Sequence, residues 1–273
     1  MWLVLLACGG TPTPAPAAPA PVVVEAPAPE VVPEPAPEPV AEPAPPARTQ
    51  RRPPEGWVDL GEHVPGVDLR IRYATADNFV GSVLPGYAVP GAWMRLAPAD
   101  ALVRVQERLK EQGLGLRVYD AYRPLRGTLA MVAWAHRTDQ VALLDGGYVA
   151  RRSGHNRGNT IDLSAIRLSD GVELDMGVPW DTLSEAAHTR NATGEALANR
   201  MTLKAAMEAE GFKNYFREWW HYTFVEPGEK ELAHRDVPYA CAEPDEGVWK
   251  APDGWREPGW VPPPPVDATP CEQ

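Results

Sequence analysis

Three apolar periodicities mark the folded part of this chain. Between Pro98 and Gln112, Leu102, Val105 and Leu109 recur on one helical face, a proline stands in the first turn and Gly113 follows as a stop, which predicts a helix. Leu116 and Val118 then alternate with Arg117 and Tyr119, the period-two pattern of a strand, and the run feeds into Asp120-Ala-Tyr-Arg123-Pro124. Arg123 precedes a proline, so its backbone is pushed out of the helical region and the chain turns there. A second helix is expected from about Leu125 to His136. A third is expected from Gly194 to Glu210, with Leu197, Met201, Lys204, Ala205 and Met207 at helical spacing and Gly211 as its cap. The aromatic and β-branched run from Trp219 to Val225 reads as another strand. Separated helices and strands predict an α+β fold, a single compact domain whose small, mainly antiparallel sheet is backed by helices.

Composition sets the limits of that domain. Sixteen of the 32 prolines fall between Pro12 and Pro54, in a run of Pro, Ala, Val and Glu. Such a segment buries too little apolar surface to offset the entropy of ordering it, so residues 9–55 read as a disordered, extended linker. The compact domain is expected over residues 56–242, followed by a Pro- and Trp-containing tail over 243–273. At the N-terminus, Leu5-Leu-Ala7-Cys8 resembles a bacterial lipoprotein signal, in which a small residue precedes the cysteine that becomes lipidated. Residues 1–8 are therefore expected to deliver the chain to the cell envelope, anchored to a membrane through lipid on Cys8; the alternative is a cytoplasmic chain with an apolar start. The formal charge of -11, from 37 acidic against 26 basic residues, argues against a nucleic-acid partner, which needs a basic patch. Cys241 and Cys271 remain, either paired in an oxidising compartment or present as two thiols.

Two stretches carry candidate chemistry. Ser153-Gly-His155-Asn-Arg-Gly-Asn-Thr-Ile-Asp162 and Glu218-Trp-Trp-His221-Tyr222 supply two imidazoles and a carboxylate, a three-ligand set for a metal that leaves a fourth position open for water. Glu218 adds a carboxylate suited to proton transfer, provided the chain bends there, because residues three apart on a regular strand face opposite ways. Arg123 is a candidate cation for the negative charge that develops on a cleaved amide carbonyl. Taken singly, each of these residues also has a bland reading: a structural histidine, a capping Asp, a solvent-facing Glu, a surface Arg.

These motifs, with Arg72-Tyr-Ala-Thr-Ala-Asp-Asn-Phe-Val-Gly81 upstream, stand in the order and spacing of the zinc D-alanyl-D-alanine dipeptidases of the vancomycin-resistance (VanX) type, which the chain resembles from about Val67 to Tyr239. The resemblance implies one zinc ion on His155, Asp162 and His221, Glu218 as catalytic acid and base, and Arg123 as oxyanion stabiliser. It also implies that Tyr73 and Asp181 hold the ammonium group of a free D-Ala-D-Ala dipeptide and that Ser153 contacts substrate. That family acts largely in the cytoplasm, so the anchor and linker are departures from it. The rival activity is a D,D-carboxypeptidase or endopeptidase acting on peptidoglycan stem peptides; a rival outside catalysis is a tethered peptidoglycan-binding lipoprotein.

Overall fold

Short strands and longer helices alternate through a computed structural model that describes residues 49–225, 232–241, 243 and 271. The expected signal with Cys8, most of the proline-rich linker and most of the tail lie outside the described residues. In chain order the elements are β1 (Trp57–Asp59), α1 (Leu60–His63), β2 (Asp68–Leu69), β3 (Trp93–Arg95), α2 (Leu96–Lys110), β4 (Leu114–Asp120), α3 (Leu125–Arg137), α4 (Val141–Asp145), β5 (Thr160–Arg167), α5 (Gly194–Ala209), β6 (Phe212–Asn214) and β7 (His221–Phe224). β1 and β3 form a two-stranded antiparallel sheet. The main sheet has the order β2-β4-β5-β7-β6, parallel only between β2 and β4, so the fold is α+β with a mainly antiparallel sheet.

The apolar stripe of α2 is buried as the spacing predicts, with Leu102, Val105 and Leu109 fully covered. This helix packs on β4 and α5, and α5 packs on β5 and β6. Along β5 the side chains alternate between faces. Ile161, Leu163 and Ala165 enter the core, which leaves Asp162 and Ser164 on the opposite face, also buried. Truncating such a core side chain, Leu163→Ala for example, costs about 2–5 kcal/mol.

Two expectations shift. The buried face of α5 is Ala196, Arg200, Leu203, Ala206 and Met207, about one position out of phase with the apolar spacing read from the sequence. Arg200 explains the error: its guanidinium is fully buried and donates to the carbonyls of Met176, Ala186 and His188, so a charged residue occupies the core stripe. The last strand begins at His221 rather than Trp219, because Trp219 and Trp220 form a turn and are buried there.

The chain ends of the described unit are stitched together. Gln50 bridges Ala240, and the Arg51 amide donates to the Tyr239 carbonyl. Tyr239 is buried, with its hydroxyl donating to the Tyr122 carbonyl at 2.7 Å. Cys241 and Cys271 are joined by a disulfide. Among the described residues no helix is long and apolar enough to cross a membrane.

Candidate active site

Strand register assembles the centre of the site. A bulge between Val118 and Asp120 shifts β4 so that Asp120 stands opposite Asp162 of β5, and Asp162 in turn stands opposite His221 of β7. Directly paired residues project to the same face, so one rung across three strands carries three of the site's polar side chains. His155 arrives from a 3-10 turn, Gly154–Arg157, just before β5. Ser153 caps this turn by accepting from the His155 amide at 3.2 Å, and the Asn156 amide group donates to the Arg123 carbonyl at 2.8 Å, tying the turn to the end of β4. The turn closes at Gly158, whose φ of +73° and contact with the Trp57 ring exclude any side chain.

His155, Asp162 and His221 converge. His155 Nδ1 donates to the Ala121 carbonyl at 2.6 Å, which directs Nε2 inward. Asp162 Oδ1 lies 3.2 Å from that nitrogen and 2.9 Å from His221 Nδ1, and the two nitrogens are 3.3 Å apart. Bonds of about 2.0–2.2 Å to a tetrahedral ion separate its ligands by about 3.4 Å, so this triangle fits a divalent ion with small adjustment. Burial raises Asp162's affinity for a proton, but the two histidines outweigh it and hold the carboxyl well below its usual range.

Glu218 lies at a bend, as its expected role in proton transfer requires. Its amide donates to the Tyr215 carbonyl and its carbonyl accepts from the His221 amide, so the chain is still turning when it reaches β7. The carboxylate therefore comes within 3.4 Å of His221 Nδ1 without joining the ligand triangle. Burial and the neighbouring Asp162 charge push its pKa up to about 8, against the pull of His155 and Arg123.

Arg123 is 6% exposed, not the surface ion pair of its bland reading. Its Nη2 lies 3.8 Å from Asp162 Oδ2, and its guanidinium sits over the Tyr73 ring, 4.9 Å from the centroid. Tyr73 stands on a 3-10 turn, Arg72–Ala74, and its hydroxyl donates to both oxygens of Asp181 at 3.0 and 3.1 Å. Asp181 adopts left-handed backbone, φ 61°, a conformation Asp tolerates better than most residues. Burial, then the charge on Asp162, raises its pKa well above the usual carboxylate value.

All eight expected residues of the folded domain, Tyr73, Arg123, Ser153, His155, Asp162, Asp181, Glu218 and His221, line one cavity of ≈ 380 Å³. The Ser153 hydroxyl accepts from the turn and keeps its own proton to donate. Met131, Tyr148, Trp220 and Asp120, which touches the site from behind, were not singled out from sequence. For Asp120 the one signal was its position three residues before Arg123 in the same motif.

A model of the D-Ala-D-Ala dipeptidase family, Peptidase_M15, matches residues 54–241. The chain is 36% identical over 193 residues to the D-alanyl-D-alanine dipeptidase of Streptomyces coelicolor, covering 65% of this chain and 93% of that protein. It is 34% identical over 199 residues to the enzyme of the same name from Enterococcus faecium, covering 67% and 94%. The Escherichia coli D-alanyl-D-alanine dipeptidase is 32% identical over 167 residues, covering 60% and 82%. With relatives matched along nearly their whole length and a His-Asp-His triangle able to hold a metal ion, the chain belongs to the Peptidase_M15 family of D-Ala-D-Ala dipeptidases and is a metallopeptidase.

Proposed function

We propose that this protein hydrolyses the free D-alanyl-D-alanine dipeptide, with zinc held by His155, Asp162 and His221. The observation that carries the reading is the pair of buried Tyr73 and half-buried Asp181 on the same cavity as the ligand triangle. A carboxylate whose hydrogen-bond donor among the described residues is one neutral hydroxyl has strong affinity for a cation, and a free dipeptide brings one in its N-terminal ammonium. A longer peptide presents an uncharged amide at that position, which leaves Asp181 without its counter-charge.

When bound, zinc polarises a peptide carbonyl and acidifies water. Glu218 takes the proton from the attacking water and returns it to the leaving amine. Arg123 faces the carbonyl oxygen as negative charge grows on it. Ser153 donates its hydroxyl proton to substrate, and Asp181 with Tyr73 fixes the ammonium. The test is a comparison of D-Ala-D-Ala with its N-acetyl derivative. The free dipeptide should be strongly preferred; equal cleavage of both would replace this reading with the D,D-carboxypeptidase one.

The proposal extends to place. The lipoprotein-like Cys8 and the Cys241–Cys271 disulfide both support an envelope location, since disulfides persist in oxidising compartments. Cys8→Ser should move the protein from the membrane to the soluble fraction of its host. A wild-type chain recovered from the cytosol with an intact Met1 would overturn both the anchor and the location.

A further inference from the structure

We infer that Asp120 is the positioning residue for Arg123, fixing the guanidinium in its working orientation before substrate arrives. The inference rests on the reading of Arg123 as oxyanion stabiliser.

Asp120 is fully buried at the end of β4, where the bulge turns it onto the site face. Its Oδ2 accepts from Arg123 Nε at 3.0 Å and from Nη2 at 2.8 Å. Its Oδ1 accepts from the hydroxyl of buried Tyr87. Arg123 on one carboxylate oxygen and Tyr87 on the other fix its orientation, and Oδ2 also lies 3.4 Å from His155 Nδ1. The guanidinium is also held in place by the Tyr73 ring and by Met131, whose sulfur accepts from Nη1 at 3.3 Å. A mobile Arg side chain forfeits rotamer entropy when fixed. Here that cost is met during folding, so none of it falls on the reaction, the condition under which a fixed charge stabilises a transition state best.

A merely structural role for Asp120, filling space and neutralising a buried Arg, predicts something else. Loss of positioning weakens interactions made with the tetrahedral, negatively charged state and spares those made with the flat substrate. Loss of structure weakens both.

The test uses the full chain loaded with zinc. In Asp120→Asn, which keeps shape and one acceptor, kcat for D-Ala-D-Ala should fall about 10-fold with KM changed less than about 2-fold. Binding of a phosphinate analogue of the dipeptide, a stable tetrahedral anion, should weaken by the same factor in calorimetry. Tyr87→Phe should act in the same direction and less. In a double-mutant cycle, Asp120→Asn should cost little once Arg123→Ala is present, because the residue it positions is gone. Should Asp120→Asn fail to fold, the cycle of Tyr87→Phe with Arg123→Ala decides by the same criterion. Costs that add independently of Arg123, zinc lost along with activity, or a rise in KM without a fall in kcat would each overturn the inference. If Arg123→Ala alone leaves turnover unchanged, the failure lies in the oxyanion reading itself.

Discussion

At one end of the cavity, Asp162 and His221 stand opposite each other on hydrogen-bonded strands, and at the other Tyr73 and Asp181 come from a three-residue 3-10 turn and an irregular loop. The strand-borne end is fixed by register: a one-residue slip of β7 would carry His221 to the opposite face. At the loop-borne end Tyr73 is braced by the rings of Phe79, Tyr87 and Trp180, and Asp181, in left-handed backbone, meets it through the Tyr73 hydroxyl. Two of the three candidate metal ligands sit on the sheet, and the third, His155, on the 3-10 turn that leads into β5. The proposed recognition of the substrate's ammonium group would sit on connections, where substitutions disturb the fold least.

Substitutions around the ligand triangle should have the largest effects. His155→Ala, Asp162→Ala and His221→Ala should each abolish activity together with zinc content, since three protein ligands are the usual complement of a catalytic site. Metal analysis checks each, and wild-type occupancy in any variant removes that residue from the set. Glu218→Gln should keep zinc and lower turnover by at least about 100-fold. Loss of stoichiometric zinc in that variant would make Glu218 a ligand.

At the loop-borne end the effect should be smaller and selective. Asp181→Asn should lower kcat/KM for D-Ala-D-Ala by roughly 10- to 150-fold, the range for losing a charge-assisted hydrogen bond, with zinc unchanged. The N-acetyl dipeptide, a poor substrate throughout, should lose little more. Equal losses for both substrates would mean that Asp181 supports the fold rather than the ammonium.

The smallest expected effect is one of stability in chelator-treated protein. Glu218 binds its proton more tightly folded, at about 8, than at its ordinary value of 4.5. Between those values the native state holds more protons than the unfolded one, so its contribution is favourable at low pH and is lost as pH rises through this window. Glu218→Gln removes the penalty, and should stabilise the metal-free protein by about 1–3 kcal/mol at pH 9 with little change at pH 4.5. Denaturant midpoints at the two pH values measure it; a variant no more stable at pH 9 would show that the buried carboxylate is otherwise satisfied.

The same division between strand and loop decided what could be read from the sequence. Leu102, Val105 and Leu109 defined α2 because helical periodicity is local, as were the stops at Gly113 and Gly211, both with positive φ in the fold. The face of α5 was misphased because Arg200 finds its partners in carbonyls 12 to 24 residues away, which no periodicity reveals. The bend at Glu218 was a requirement of the chemistry, not a visible pattern; it arises because Trp219 and Trp220 bury themselves in a turn before β7. Asp120 stayed unassigned because its placement depends on a bulge, a property of the paired strands and not of either alone.

The ligand triangle also makes the ion a thermodynamic partner of the whole fold. Its corners lie 7 and 59 residues apart, on two strands and on a turn tied to a third, so no short fragment of the chain can assemble them. An ion that binds only the assembled state adds its binding free energy to global stability, about 4 kcal/mol at a thousandfold excess over its dissociation constant. The persistence of the folded domain in its surroundings is therefore linked to how much free metal those surroundings supply.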